Sequence, residues 1–145
     1  MKRILHPSDF SKASQSAFTK AVEMARTMGA TLDLLHVMAP VMPMLGEGYL
    51  SPATYDQLAA SGSRWARKEM ERLVKKARAA GVKTTATVVE GTAADRIVRA
   101  ARARKANLIV MGTHGRTGVS RFLLGSVAAR VISTSACPVL TVRGR

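Results

Sequence analysis

Short apolar runs alternate along this chain with longer stretches whose apolar residues return every three or four positions. Residues 1–6 read as a strand, after which Ala17, Ala21, Val22, Ala25 and Met28 recur at the spacing of one buried helix face. Ser11 stands where a hydroxyl can cap that helix, and Gly29 where the helix can end. Residues 31–38 form a second strand, with Leu32, Leu34 and Leu35 apolar enough for a central position. Residues 39–52 break both periods with Pro40, Pro43, Gly46, Gly48 and Pro52, which predicts a long surface loop. Helical period returns over about 54–80, with Leu58, Trp65, Leu73 and Val74 among the apolar positions and Gly81 beyond the end. Ser61-Gly62-Ser63 predicts a bend or a split within it.

Residues 82–89 alternate, with Val82, Thr84, Ala86 and Val88 on one side and Lys83, Thr85, Thr87 and Val89 on the other. A partly wet face of this kind suits an edge strand. Thr92, three residues before Asp95, has the spacing of a capping box and opens a helix through Ile97, Val98 and Ala101 to about Lys105. Leu108-Ile109-Val110-Met111 is the run expected of a strand covered on both faces, and Gly112 stops it. A helix from Ser126 and a last strand over 138–142 complete the chain. Five strands separated by four helices predict a single α/β domain over 1–145, doubly wound around a mainly parallel sheet with helices on both faces. Ligands of such sheets sit beyond the carboxyl ends of the strands, where the winding reverses. If the first and fourth strands are neighbours there, the loops starting at Pro7-Ser8-Asp9 and at Gly112 face one crevice.

The segment after the fourth strand carries the chemistry. Gly112, Gly115 and Gly118 allow close approach to backbone N–H groups and tolerate positive φ. Gly125-Ser126 then opens a helix whose first amides would point back at the loop, an arrangement that favours an anion. On spacing alone, the same glycines could simply shape a tight loop and a close helix contact. No G-x-x-x-x-G-K-[ST] frame is present, and no G-x-G-x-x-G follows the first strand, so neither familiar phosphate signature applies.

Charge changes the picture of the surface. Lys and Arg total 23 against 9 Asp and Glu, a net charge of +14, which attracts polyanions without selectivity. The basic residues do not form one block; seven decorate one helix from Arg64 to Arg78 and five another from Arg96 to Lys105. Aromatics are only 4%, too few for the stacking platform of a single-strand binder, so no specific nucleic-acid recognition is predicted and a solvated basic surface is the reading. The one cysteine, Cys137, reads as a small buried apolar residue in a reducing compartment. No segment approaches the roughly 20 apolar residues of a membrane span, and the first residues lack an apolar signal core, which predicts a cytoplasmic protein without a membrane partner.

With these residues on the page, the chain resembles the universal stress proteins, in the branch that binds ATP. The most specific element is G-x-x-G-x9-G-[ST], met by Gly112, Gly115, Gly125 and Ser126. It is joined by the flanking Met111, Arg116, Leu123-Leu124 and Val127-Ala128 and by the closing Cys137-Pro138-Val139-Leu140-Thr141-Val142. The resemblance implies strand order 3-2-1-4-5 and a homodimer. It implies that the Pro7-Ser8-Asp9 turn meets the nucleoside, with Asp9 accepting from the ribose hydroxyls, and that backbone groups around Val37 meet the adenine edge. Met111, Gly112, Thr113 and Gly115 would flank the inner phosphates, while Gly125, Ser126 and Val127 would hold the outer ones. Arg116 and Arg121 would neutralise charge. Mg²⁺ is expected from the triphosphate's own needs rather than from any carboxylate cluster. Asp9 could alternatively cap the first helix and Ser126 the last, and His114 in the loop could touch a phosphate or a bound divalent cation or simply be exposed. His6, before the acidic turn, departs from the small apolar residue usual in the family.

No Ser-His-Asp set, paired carboxylates or zinc ligands stand at convincing spacing, and no Lys lies in the phosphate loop. The expectation is therefore a nucleotide-dependent regulatory or protective module with slow or no hydrolysis. The alternatives are a slow ATPase or autophosphorylating enzyme, and a basic partner-binding protein that does not use nucleotide. The apolar strand over 139–142 would be an unprotected edge in a monomer; pairing with its twin in a second chain would cover it, or Arg143 and Arg145 could keep it soluble.

Overall fold

The computed structural model describes residues 2–40, 51–114 and 124–144 of the chain. In chain order the elements are β1 (Arg3–Pro7), α1 (Lys12–Met28), β2 (Thr31–Met38), α2 (Pro52–Ala79), β3 (Thr84–Glu90), α3 (Ala93–Ala103), β4 (Leu108–Gly112), α4 (Ser126–Thr134) and β5 (Val139–Val142). Every strand pairing is parallel, and the sheet order is β3-β2-β1-β4-β5. The chain winds from β1 out to β3, then crosses back to β4, so the reversal falls between β1 and β4.

Parallel strands covered on both faces read as continuous apolar runs because each neighbouring pair of residues feeds two cores. Ile4 packs with Ala17, Ala21, Leu32, Leu34, Met70 and Val110 beneath α1 and α2. Leu5, next in sequence, packs with Leu35, Ile97, Ile109, Met111 and Val131 beneath α3 and α4. Ala17, Ala21 and Ala25 form a stripe of small residues on α1, so its backbone lies close to the sheet. Ser11 caps this helix by accepting from the Ser14 N–H at 3.2 Å, and Gly29 ends it in the left-handed conformation at φ 59°.

Four local expectations are corrected. First, α2 starts at Pro52 and runs unbroken through Ser61-Gly62-Ser63. Ser51 accepts from the Thr54 N–H, and a proline in the first turn has no helical hydrogen bond to lose. Gly62 costs about 1 kcal/mol relative to alanine there, and packing of the helix on the sheet outweighs it. Second, the buried stripe of α2 is Ala66, Met70 and Ala77, while Leu58 is 51% and Trp65 46% exposed. Trp65 instead stands edge-on to the Phe10 ring at 5.2 Å. Third, Thr92 occupies the cap position of α3 but makes no side-chain cap bond, and Asp95 pairs with Arg130 at 3.4 Å on the surface. Fourth, Cys137 is half-buried rather than buried, with its N–H donating to Ser135 Oγ. The predicted loop over 39–52 falls mostly on residues 41–50, outside the described residues.

β3 is an edge strand, as its alternation predicts, although it begins at Thr84 rather than Val82. Arg78 donates to Thr84 O at 3.1 Å and Arg104 to Thr87 Oγ1 at 2.6 Å, so cationic side chains guard this edge. In the amino-terminal half of the sheet, Asp33 is 1% exposed and accepts from Arg3 at 3.2 Å and from Thr85 Oγ1 at 2.7 Å. These bonds tie β1, β2 and β3 together.

Candidate functional site

A cleft of about 290 Å³ opens at the carboxyl ends of β1 and β4, where the winding reverses. The turn after β1 contributes Pro7, Ser8 and Asp9. Val37 comes from β2, Met111, Gly112 and Thr113 from β4 and its exit, and Gly125, Ser126 and Val127 from the start of α4. Ten of the residues named from sequence thus share one cavity, while Gly115 and Arg116, with Arg121, lie outside the described residues. Ser14, Leu35, Ala93, Ile97, His114 and Ala128 also line the cleft, and the sequence did not single out the first four or Ala128 as site residues. Leu35 and Ile97 obey the same periodicity as any core residue, and period reports which face a side chain takes rather than how near it lies to the strand's end.

The turn after β1 is held from several directions. Ser8 N–H donates to Leu35 O at 2.8 Å, His36 Nδ1–H donates to Ser8 O at 2.7 Å, and Ser8 Oγ lies 2.9 Å from Ser14 Oγ. Asp9 does not cap α1; its Oδ1 accepts from the Ser11 N–H two residues on, at 3.0 Å, a local turn bond that fixes where the carboxylate sits. Phe10 follows at φ 64°, unusual for a bulky residue, with its ring against those of His36 and Trp65. A carboxylate so fixed at the cleft wall is suited to accept from hydroxyl groups.

Gly112 and Gly125 act through space rather than through φ. Among the described residues, positive-φ glycines are Gly29, Gly81 and Gly91, whereas Gly125 has φ −61°. A Cβ at Gly112 would lie 2.9 Å from the Ala13 carbonyl carbon, and one at Gly125 would lie 2.9 Å from Thr113 O. The Gly125 N–H is itself used, donating to Thr113 O at 2.7 Å, and Thr113 N–H donates to Val142 O at 3.0 Å. Both readings of the glycines therefore meet here: close packing sets the residue type, and that packing brings α4's first turn to the cleft.

Gly125, not Ser126, occupies the cap position of α4, and no side chain caps this helix. Its first internal bond runs from Ala129 N–H to Gly125 O. The amides of Ser126, Val127 and Ala128 precede that bond and have no acceptor within the helix, so they and the dipole's positive end favour an anion. His114 is half-buried rather than exposed. Its Nδ1 lies 2.9 Å from Thr113 Oγ1, and its buried Nε2 has no hydrogen-bond partner among the described residues. Among the described residues, no group of three or more His, Cys, Asp or Glu is placed to hold a metal ion.

His6 lies outside the cleft. It points into the α1 side of the sheet, with its ring 5.9 Å from that of Phe18 and its Nδ1–H donating to Val110 O at 2.8 Å. Burial pushes its pKa down from the ordinary 6.5 to about 4, although the Val110 bond and the Asp9 charge act in the opposite direction. The departure from a small apolar residue before the turn is thus accommodated in the core, away from the lining.

A five-stranded parallel sheet in this order, with a cleft at the reversal, defines a doubly wound α/β fold. The model of the universal stress protein family matches residues 1–143, and the chain belongs to that family. It is 35% identical to universal stress protein MJ0531 of Methanocaldococcus jannaschii over 144 residues, covering 98% of this chain and 82% of that protein. Universal stress protein MJ0577 of the same organism is 32% identical over 154 residues, covering 98% of this chain and 94% of that one. The solved structure of MJ0577 superposes with a TM-score of 0.86 at 29% identity, covering 99% of this chain and 96% of that one. A universal stress protein solved in complex with cAMP gives 0.74 at 25% identity, covering 99% and 98%. No helix among the described residues is long and apolar enough to cross a membrane.

Proposed function

We propose that this chain is an adenine-nucleotide-binding module of the stress response, with ATP as its ligand and slow or no hydrolysis. The observation that carries this reading is the meeting, in one cleft at the sheet's reversal, of a fixed carboxylate and a helix start whose leading amides lack helical acceptors. The cAMP complex of a relative supports the ligand class. In this reading Asp9 accepts from the ribose hydroxyls and the backbone near Val37 meets the base. Met111, Gly112 and Thr113 flank the inner phosphates, and Ser126 and Val127 donate to the outer ones. Gly125 serves by its size, since its own N–H is occupied. Gly115 and Arg116 complete the phosphate loop. Mg²⁺ arrives with the triphosphate and screens its charge.

Hydrolysis needs a group that positions or activates water at the outermost phosphate. Asp9, the carboxylate lining the cleft among the described residues, stands on the ribose side of this arrangement. The module therefore works by binding: nucleotide stabilises the folded form and the conformation of the loops around the cleft. The chain acts in the cytoplasm as a homodimer joined through β5, whose four residues are all only partly covered and whose outer edge pairs with no strand among the described residues.

Mass measurement of the nucleotide released from gently denatured protein tests the ligand. Adenine nucleotide at near one per chain is expected; recovery of none from protein refilled with Mg-ATP and desalted contradicts it. Single-turnover kinetics test the passive role. Turnover that survives rigorous purification and vanishes in Gly125→Val would replace the module by an enzyme.

A further inference from the structure

The net charge of +14 is not accounted for by a nucleotide cleft, and the structure shows where much of it is displayed. Between Arg64 and Arg78, α2 carries seven basic residues against Glu69 and Glu71, and all seven basic side chains are exposed. Arg64, Lys68, Arg72 and Lys75 recur at four- and three-residue steps, which keeps them on one face of the helix. Steps of four residues are about 6 Å along the axis, so the row presents a cation at each such interval over about 16 Å. Among the described residues, the carboxylate paired to this row is Glu69, on Arg72. Half-exposed Trp65 adjoins the row at its start, its ring braced by Phe10. The helix covers the α1 side of the sheet, whereas the cleft opens on the α3 and α4 side, so the two surfaces do not overlap.

We propose that the exposed face of α2 binds a single-stranded nucleic acid along its sugar-phosphate backbone, without regard to base sequence. Regularly spaced cations neutralise successive phosphates, and Trp65 supplies one sequence-tolerant stacking surface beside them. This agrees with the lack of a base-reading platform, because backbone contacts position a strand and carry no sequence information. An anionic membrane is the weaker fit: among the described residues the large apolar side chains exposed on α2 are Leu58 and Trp65, and the row from Lys68 to Lys75 carries none to insert among lipid chains.

The test is fluorescence anisotropy of a labelled single strand of about 30 nucleotides, in two unrelated sequences, titrated with the full chain. Four phosphate contacts give a log-log salt slope of about −3, so affinity should fall about 50-fold between about 50 and 200 mM salt. The variant Arg64→Gln/Lys68→Gln/Arg72→Gln/Lys75→Gln should lose at least about tenfold in affinity and flatten the slope by about 3. Arg99→Gln/Arg102→Gln, which removes exposed charge from α3, should change affinity by less than about twofold. The single tryptophan adds a readout, since its fluorescence should be quenched by the strand in the wild-type protein. Circular dichroism checks that both variants are folded, and Trp65→Phe, which keeps a ring at that position, should retain most of the affinity. Equal losses per charge removed in the α2 and α3 variants would overturn the proposal in favour of diffuse attraction. So would wild-type affinity in the α2 variant, or binding to phosphatidylserine vesicles without binding to the oligonucleotide.

Discussion

The two ends of this sheet treat buried polar groups in opposite ways. Toward the amino ends, Asp33 is enclosed and answered from within, by Arg3 and by Thr85 Oγ1, while Arg3 N–H is answered in turn by Asn107. At the carboxyl ends, the Pro7-Ser8-Asp9 turn is fixed just as firmly, yet the leading amides of α4 have no acceptor within their helix and the Nε2 of His114 has no hydrogen-bond partner among the described residues. The first set locks three strands together. Under the proposed function the second holds groups in place for a ligand, so rigidity alone does not separate a structural polar cluster from a binding one. What separates them is whether the unanswered groups face a cleft: His6 Nε2 also lacks a partner among the described residues, but it is enclosed in the core.

The comparison breaks most sharply at its structural end. Asp33→Ala should cost about 3 kcal/mol in urea unfolding, because it removes the hydrogen bonds that Arg3 and Thr85 make to a buried carboxylate, while the folded fraction keeps its nucleotide affinity. At the other end the pattern inverts. Gly125→Val forces a side chain into Thr113 O and displaces the start of α4, so ATP affinity should fall at least about 100-fold, or about 2.7 kcal/mol, by isothermal titration.

His6 sharpens the contrast through pH. Its pKa falls to about 4 on folding, so the unfolded chain binds the proton more readily and protonation favours unfolding. Stability should be level above pH 6.5, decline as pH falls from there toward 4, and lose about 3 kcal/mol in all from this group. His6→Asn should flatten that decline in denaturant titrations across the range, and an unchanged slope would remove His6 as its cause. Asp9→Ala carries the smallest expected effect, a loss of about tenfold in ATP affinity with little change for an analogue lacking the ribose hydroxyls.

The fold was legible in the sequence because its signals are repeated. Ala17, Ala21 and Ala25 mark a helix face, Leu108 to Met111 mark a strand covered twice, and Thr84 to Val89 mark an edge. The site was legible where a family pattern named positions and where strand ends define a crevice. It was less legible where three-dimensional distance decides. Gly112 suggests conformational freedom in sequence, but the fold needs it because Ala13 lies against it. Thr92 and Asp95 have capping-box spacing, yet Asp95 finds Arg130 on a neighbouring helix. Trp65 looks like core by composition and lies half in solvent, because the stripe facing the sheet is Ala66, Met70 and Ala77. Gly62 suggests a break that the packing of α2 overrides.

The central claim, that the carboxyl end of the sheet is held open for an adenine nucleotide, is tested most directly by isothermal titration of purified, nucleotide-stripped protein with Mg-ATP. The account predicts a saturable heat at one nucleotide per chain with a matching rise in melting temperature. Absence of both heat and thermal shift at millimolar ATP would contradict it.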